Sequence, residues 1–428
     1  MLYPHLASQD PEIHAAIMAE LARRSEGFDL IPSENVTQTG VLEALGSILT
    51  DKYSEGYPGK RYYGGNEHID VIENLARDRA KALFGVTHAN VQPYSGSPAN
   101  QAVYMALLNP GEKVMGLSLS FGGHLTHGHG VNFSGTFFES HPYSTGEDGW
   151  INYDEVEKQA KEVRPKLLVC GTTAYPRALD FVRMAQIAKE VDAFLLADIS
   201  HIAGLVVAGV HASPVGHADV VTTTTHKTLC GPRGALILCN GLPSMPLKAV
   251  PKTRENIPTL VDRAVFPGLQ GGPHNHQTAA IAVALKHAAS PEFKIYGAQV
   301  VKNAKKLADA LMALGCKLVT GGTDNHLILM DVTPFGIGGA VAEVALGKAG
   351  LTVNKNTVPY DPRKAFDPSG IRFGTPAMTS RGLVEKDMEF ISEIMHAALT
   401  HADDETFLAA LKTRVTALAA QHPPYIDL

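Results

Sequence analysis

The sequence predicts an α/β fold, in which a large domain with a mostly parallel sheet precedes a smaller C-terminal α+β domain. The chain has 428 residues, 45% of them apolar, which suffices for two or three domains with a large core. From about residue 70 to 280, short apolar runs alternate with helical patterns, as in a sheet with helices on both faces. After about residue 280, two long helical patterns are followed by short strand patterns.

Local patterns place the individual elements. Short apolar runs predict strands of the large sheet at 166–169, 193–197, 220–224 and 235–238. Helical spacing and capping residues predict helices at 10–24, 99–108 and 182–191. The smaller domain is expected to hold helices near 277–289 and 297–314 and strands at 317–320 and 326–332.

Residues 31–66 are rich in Gly, Tyr and charge and lack regular periodicity, which predicts a functional loop or a subunit contact. The expected division is an N-terminal helical arm at 1–30, a large α/β domain at 31–280 and a small α+β domain at 281–428.

Composition narrows the class of protein. The net charge of −6 disfavours a nucleic-acid-binding role. The four cysteines form no C-x-x-C pair, so we expect reduced thiols and neither a zinc ribbon nor a disulfide framework. The sequence has neither an apolar run of membrane-spanning length nor the features of a signal peptide, so a cytoplasmic location is expected.

Lys227 is the strongest candidate for a reactive residue. It follows a run of threonines at 222–225 and precedes a Gly-Pro-Arg-Gly turn at 231–234, between two apolar strand patterns. Partial burial lowers the pKa of a lysine, and a neutral amine forms a Schiff base with a carbonyl. The alternative is an ordinary exposed loop lysine, but the tight turn and the surrounding hydroxyls favour a site.

Two further motifs supply partners for that lysine. Ser95-Gly96-Ser97 precedes a helix, and Ser97 as its N-cap would leave free N–H groups for a phosphate. Asp198 ends an apolar strand 29 residues before Lys227, where a carboxylate faces the ligand crevice of a parallel sheet. Each motif also has a structural explanation as a simple cap. A lysine, an anion site and an aspartate together are what pyridoxal 5′-phosphate requires.

Three other segments combine reactive groups with glycines. His124, His127 and His129 lie among glycines, and without nearby acidic or thiol ligands we expect no metal. His124 suits stacking on a flat cofactor, whereas His127 and His129 are interpreted as loop histidines. Glu55 could act as an acid or base if buried. Arg372 suits capture of a carboxylate, with a structural salt bridge as the alternative.

With these motifs in order, the chain resembles serine hydroxymethyltransferase, a family of fold-type I pyridoxal-phosphate enzymes, over nearly its whole length. The segments that carry the resemblance lie at 31–35, 53–65, 122–128, 222–234, 266–273 and 370–379. The resemblance implies a fold-type I transferase with pyridoxal 5′-phosphate as cofactor and tetrahydrofolate as co-substrate.

The resemblance also implies residue roles. The expected catalytic residues are Lys227, Glu55, Asp198, His124 and Thr224. The expected cofactor-binding residues are Ser95, Gly96, Ser97, His124, Thr173, Asp198, His201 and Lys227, with Tyr53, Gly271 and Gly272 supplied by the neighbouring subunit. The expected amino acid ligands are Ser33, Glu55, Tyr63 and Arg372, and the expected folate ligands are Leu119, Gly123 and Asn356.

The implied reaction transfers the hydroxymethyl group of serine to tetrahydrofolate, which leaves glycine and 5,10-methylenetetrahydrofolate. Sites shared across a two-fold axis imply a homodimer, with a tetramer left open. The chain departs from the family's usual residues at several positions around the site: Tyr94, Pro98, Phe121, Thr173, Cys230 and Leu269.

The departures keep two related activities open. One is hydroxymethyl transfer from α-methylserine, which yields D-alanine, and the other is folate-independent cleavage of β-hydroxy amino acids. An aminotransferase would have no use for Glu55. The net charge of −6 and the intact set of site residues disfavour a non-catalytic binding protein, for instance one that regulates RNA.

Overall fold

The computed structural model describes residues 2–242, 244, 245, 247 and 256–425. Its helices are α1 (Pro4–Gln9), α2 (Pro11–Glu26), α3 (Thr39–Leu45), α4 (Glu67–Phe84), α5 (Gly96–Leu107), α6 (Phe133–Thr136), α7 (Tyr153–Val163), α8 (Phe181–Glu190), α9 (Ala203–Val207), α10 (Ile257–Arg263), α11 (Asn275–Ala288), α12 (Pro291–Ala313), α13 (Gly339–Lys348), α14 (Pro376–Ser380), α15 (Glu385–Thr400) and α16 (Glu405–Ala419).

The strands are short. They are β1 (Phe28–Asp29), β2 (Gly56–Tyr57), β3 (Lys60–Arg61), β4 (His88–Asn90), β5 (Lys113–Met115), β6 (Glu139–Ser140), β7 (Leu167–Gly171), β8 (Phe194–Asp198), β9 (Val220–Thr224), β10 (Ala235–Cys239), β11 (Lys317–Leu318), β12 (Leu327–Asp331), β13 (Leu351–Thr352), β14 (Asn354–Asn356) and β15 (Gly370–Gly374).

The chain forms two compact units. One comprises residues 40–298, and the other combines residues 1–39 with residues 299–428. The N-terminal residues therefore belong to the same unit as the C-terminal ones, while the three-part division expected above stays a prediction. Among the described helices, none has the length and apolar character needed to cross a lipid bilayer.

The larger unit is built around a seven-stranded sheet with the order β4-β10-β9-β8-β7-β5-β6. Pairing is parallel from β6 through β9, and β10 is antiparallel to both of its neighbours. Every residue of β7, β8, β9 and β10 is buried, which explains why these strands are apolar runs without alternation. The predicted large α/β fold is confirmed.

The smaller unit contains a four-stranded antiparallel sheet with the order β11-β12-β15-β14 and a two-stranded parallel pair of β1 and β13. Alternate residues of β12 and β15 face a core that also receives α12, α13, α15 and α16. Buried members of this core include Phe28, Leu307, Ile328, Phe373 and Leu411. The predicted α+β character of the C-terminal region matches this arrangement.

Three local predictions were wrong. The strand expected at 317–320 ends at Leu318, because the 3-10 turn Val319–Gly321 follows and Thr320 within it adopts a left-handed conformation with φ 62°. The segment 31–66 is not all loop, since it contains α3 and the β2–β3 hairpin. Helix α5 begins at Gly96 with Ser95 as its N-cap, two residues before the predicted cap.

Arg381 joins the chain ends inside the smaller unit. Its guanidinium donates hydrogen bonds to the backbone carbonyls of Arg24, Gly27, Ala419 and His422, at 2.5–3.3 Å. The same group lies over the ring of Phe28, 4.3 Å from the ring centroid. One planar cation thus satisfies the carbonyls at the ends of two helices, α2 and α16.

We expect Arg381→Met to lower the free energy of unfolding by about 3 kcal/mol or more, because several buried carbonyls lose their donor. Arg381→Lys should recover little, since an ammonium does not reproduce the fork of donors. Chemical denaturation followed by circular dichroism measures the change. The control is Arg414→Met, whose side chain is half exposed and packs over Phe390, and it should change stability by under about 0.5 kcal/mol. Equal effects at both positions would contradict the assignment.

Candidate active site

Lys227 lies in the turn that connects β9 to β10. Thr224 and Ala235 are paired at the base of this turn, and the lysine side chain is half-buried. The turn is closed by hydrogen bonds from Cys230 N to Lys227 O (3.0 Å) and from Gly231 N to Thr225 O (2.8 Å). Cys230 itself is left-handed, with φ 55°, so a residue with a Cβ occupies a position that favours glycine.

Threonine hydroxyls hold the lysine turn in place. Thr225 Oγ1 donates to the carbonyl of Pro232 (2.7 Å). Thr228 Oγ1 donates to the carbonyl of His201 (3.1 Å) and accepts from the N–H of Gly204 (2.9 Å). The turn is thereby fastened to the segment that follows β8, and the lysine is held on a rigid support.

His226 shows that this turn is shielded from water. Its Nδ1 atom is buried and has no hydrogen-bond partner among the described residues. Burial, together with the positive charges of Lys227 and Arg233, lowers the pKa of His226 to about 3. The imidazole beside the lysine is therefore neutral at physiological pH.

Asp198 is the last residue of β8, as predicted, and its carboxylate is surrounded by donors. Oδ2 accepts from Asn100 Nδ2 (2.9 Å) and His127 Nε2 (3.1 Å), and Oδ1 accepts from the hydroxyl of Ser200 (2.6 Å). Burial by itself would raise the pKa of Asp198, but the hydrogen bonds that it accepts, chiefly from His127 and Ser200, hold that pKa well below its usual range. Asp198 is therefore an ionised carboxylate that can accept a hydrogen bond from a further donor.

His127 is a functional residue that the sequence analysis missed, since it was interpreted as a loop histidine. It ends the 3-10 turn Leu125–His127, is 2% exposed and donates to Asp198. A pattern signal existed: His127 follows His124 by three residues, the spacing at which the two ends of one helical turn cap each other.

The proposed anion site begins α5. Ser95 is extended, with φ −162°, and Gly96 opens the helix. A Cβ at Gly96 would lie 2.7 Å from Cγ2 of Thr224, the last residue of β9. Glycine at this position lets the start of the helix approach the strand that leads to Lys227. The positive end of the helix dipole lies at this start, where it would stabilise an anion.

Glu55 and Tyr53 meet the glycine pair predicted to act with them. A Cβ at Gly271 would lie 3.3 Å from Oε1 of Glu55, and one at Gly272 would lie 3.5 Å from the ring of Tyr53. The Tyr53 side chain is 60% exposed. These four residues form one patch on the surface of the larger unit.

Arg61 anchors the hairpin that carries Glu55. Its guanidinium donates to the carbonyls of Ser54 (2.8 Å) and Gly56 (2.9 Å), and to the carboxylates of Asp70 (2.8 Å) and Glu73 (2.7 Å). Burial raises the pKa of Glu73, and the contact with Arg61 opposes that rise. The backbone on both sides of Glu55 is thus bound to one buried ion pair.

Tyr94 connects the Gly271-Gly272 segment to the anion site. Its hydroxyl donates to the carbonyl of Gly272 (2.8 Å), and its ring stacks on His274 with centroids 4.0 Å apart. The N–H of Tyr94 donates to Oε1 of Gln270 (3.0 Å). We call residues 92–97 together with 270–277 the glycine clamp, since each half holds the other in position.

The remaining predicted residues divide between the two units. In the larger unit, Thr173 donates through Oγ1 to the carbonyl of Gly123 (2.8 Å), His201 is buried and Leu119 is 39% exposed. In the smaller unit, Arg372 on β15 donates to Asn354 Oδ1 (3.1 Å), and burial lowers the pKa of Arg372 to about 10.

Ser33, Tyr63 and Asn356 complete the set. Ser33 follows β1 in the smaller unit, Asn356 ends β14 and Tyr63 lies 5.4 Å from the ring of Tyr53.

Comparison with known proteins decides the family. The family model described as serine hydroxymethyltransferase matches residues 6–395. Curated proteins named serine hydroxymethyltransferase are similar over nearly the full length. One from Acidobacterium capsulatum is 52% identical over 98% of this chain and 95% of its own length, and one from Acidothermus cellulolyticus is 54% identical over 96% and 93%.

The chain belongs to the serine hydroxymethyltransferase family.

Family membership confirms three predictions: the resemblance, the fold-type I class and the enzyme class of a glycine/serine hydroxymethyltransferase. Serine hydroxymethyltransferases use pyridoxal phosphate, and the lysine, aspartate and anion site described above are the groups that this cofactor needs. Within the described part of the chain, no three His, Cys, Asp or Glu side chains are arranged to hold a metal ion.

Arg61→Met should destabilise the larger unit by about 3–5 kcal/mol, because Glu73 is left buried without its partner. The double variant Arg61→Met/Glu73→Leu should regain much of that stability. It should not restore protection of residues 53–61, whose carbonyls still lack their donor. Urea denaturation and hydrogen exchange measure the two effects. The control is Arg164→Met, which loses an exposed pair with Asp192 and a long, exposed hydrogen bond to the carbonyl of Glu190, and it should change neither quantity.

Proposed function

We propose that this chain interconverts serine and glycine with tetrahydrofolate as the one-carbon acceptor and pyridoxal 5′-phosphate as cofactor. The observation that carries the proposal is the placement of Lys227 on the turn after β9 and of the Asp198 carboxylate at the end of the neighbouring strand β8, where Asp198 is paired with Thr222. The family relationship supports the same reaction.

The chain's own residues fit the cofactor. Gly96 leaves room for backbone N–H groups at the start of α5, where a phosphate is stabilised by the helix dipole. Asp198 is held as an acceptor of the kind that a protonated pyridine nitrogen needs. Bound to Lys227, pyridoxal phosphate supplies an electron sink for bond cleavage at the amino acid Cα.

Each residue then has a physical task. Asp198 is proposed to keep a proton on the ring nitrogen. Thr224, whose N–H donates to Oγ of Ser200 (3.1 Å), is proposed to line the site beside Lys227. Thr173 and His201 are proposed to line the ring, and His124 to stack on it. Glu55, half-buried, is proposed to hold or move the proton of the serine hydroxyl.

Substrate contacts are proposed for the residues that match the family's motifs. The always-charged guanidinium of Arg372 suits the α-carboxylate of the amino acid, with Ser33 and Tyr63 as further donors. Leu119, Gly123 and Asn356 are proposed for the folate, where the exposed Leu119 offers apolar contact and Asn356 an amide. These assignments rest on the match to the family's motifs.

We further propose a homodimer with shared sites. The segment around Glu55 exposes large apolar side chains: Ile48 is 88% exposed, Tyr62 74% and Tyr53 60%. Such exposure on one segment is typical of a surface that a partner covers. Tyr53, Glu55, Gly271 and Gly272 would then complete the partner's cofactor site. A cytoplasmic location is proposed from the absence of disulfides among the described, buried cysteines.

The reconstituted protein should transfer the hydroxymethyl group of L-serine to tetrahydrofolate. In the reverse direction, glycine should be preferred to D-alanine as acceptor, because nothing in the comparisons favours the α-methyl substrate. Coupled assay of 5,10-methylenetetrahydrofolate measures both. Lys227→Arg should lose at least about 10³-fold in kcat, since a guanidinium does not form the Schiff base. Preference for D-alanine, or an active Lys227→Arg variant, would refute the proposal.

Gly96→Ala should weaken binding of pyridoxal phosphate at least about tenfold, since the new methyl group meets Cγ2 of Thr224. The double variant Gly96→Ala/Thr224→Ser, which removes that Cγ2, should regain most of the lost affinity. Gly347→Ala is the control, because nothing lies within 4 Å of its Cβ position. Titration of apoenzyme by absorbance measures the affinities, and a double variant no better than Gly96→Ala would contradict the contact.

A further inference from the structure

Two histidines cap the 3-10 turn Leu125–His127 reciprocally. The backbone N–H of Thr126 donates to Nδ1 of His124, and the backbone N–H of His124 donates to Nδ1 of His127, both at 3.2 Å. A backbone N–H can only donate. Each Nδ1 therefore presents a lone pair, and a neutral ring in this position carries its proton on Nε2.

A second contact fixes the same tautomer at His124. Asn100 Nδ2 donates to Asp198 Oδ2 (2.9 Å) and to Thr126 Oγ1 (2.8 Å), while Asn100 Oδ1 accepts from Thr222 Oγ1 (2.6 Å). An ionised carboxylate only accepts, so the amide nitrogen faces Asp198 and Thr126.

The hydroxyl of Thr126 then has one direction left for its proton. It accepts from Asn100 and lies 2.8 Å from Nδ1 of His124, to which it donates. Nδ1 of His124 thus faces two donors, the N–H and the O–H of the same threonine. A proton on Nδ1 would meet both of them, which disfavours the Nδ1–H tautomer and the imidazolium alike.

The tautomer of His127 agrees with its second contact. With the proton on Nε2, the ring donates to Oδ2 of Asp198 at 3.1 Å from a position that is 2% exposed. The network therefore has one consistent proton arrangement, from Thr222 through Asn100 and Thr126 to His124, and from His127 to Asp198.

We propose that this network fixes His124 as a neutral ring with its proton on Nε2. Toward the cofactor and substrate, His124 is then a hydrogen-bond donor and not a proton acceptor, which leaves Glu55 as the base. Asn100 and Thr126 are positioning residues that act through His124 and Asp198. The identity of the ligand that contacts His124 rests on the proposed function, but the assignment of the tautomer does not.

The tautomers can be measured directly. Long-range ¹H–¹⁵N correlation spectra of the protein labelled with ¹⁵N-histidine, with and without pyridoxal phosphate, distinguish the two tautomers of each ring near neutral pH. His124→Gln and His127→Gln variants assign the signals. We expect the Nε2–H pattern for both residues already in the apoenzyme. An Nδ1–H or an imidazolium pattern at His124 would overturn the proposal.

Substitutions at Thr126 test the positioning role. Thr126→Val keeps the shape and the backbone donor but removes the hydroxyl, so His124 should show exchange between tautomers and kcat should fall about fivefold to tenfold. Thr126→Ser should restore the single tautomer and most of kcat. His129→Gln, in the same loop, should leave the His124 signals unchanged. Unaltered His124 signals in Thr126→Val would count against the network.

Failure of the proposed function is separable from failure of this inference. Nε2–H patterns in a protein that binds no pyridoxal phosphate would refute the function and support the tautomer assignment. Cofactor binding and serine turnover with an Nδ1–H pattern at His124 would do the reverse.

Discussion

The ionised carboxylate of Asp198 is the constraint on which the rest of the larger unit depends. A buried charge is costly unless donors surround it. Here they come from three separate parts of the chain: Asn100 on α5, His127 in the turn after β5 and Ser200 beyond β8. The same helix α5 begins at the anion site, and the same β8–β9 edge leads to Lys227. Satisfying one carboxylate therefore brings together the elements that a pyridoxal-phosphate site requires.

The second organising feature is the glycine clamp. Gln270 donates to the carbonyl of Gln92, and Gln277 to that of Pro93, at 2.9 and 3.2 Å. These hydrogen bonds thus join the segment that begins α5 to the segment that holds Gly271 and Gly272. In a dimer with shared sites, the segment that begins α5 would contribute to the site of its own subunit, and the segment with Gly271 and Gly272 to that of the partner. Each chain would then hold parts of two sites at a fixed spacing.

Much of this arrangement could be predicted from the sequence because its signals are local. The strand at 220–224, Asp198 at a strand end and the lysine turn all follow from short apolar runs and their borders. The contacts of His127 with Asp198 and of Arg61 with Glu73 could not be predicted, because the partners lie 71 and 12 residues apart and no periodicity marks such pairs. The start of α5 was misplaced since Ser95 and Ser97 are equally good caps by residue type.

The burial of the cysteines has a consequence for how the protein opens. All four are buried, and burial raises the pKa of Cys239 to about 12 and that of Cys316 to about 11. Cys316 belongs to the smaller unit, whereas Cys170, Cys230 and Cys239 belong to the larger one. These thiols therefore react as thiolates only after they become exposed to solvent. Modification of a thiol therefore shows that the structure around it has opened. Because the cysteines are divided between the two units, they distinguish the opening of one unit from that of the other.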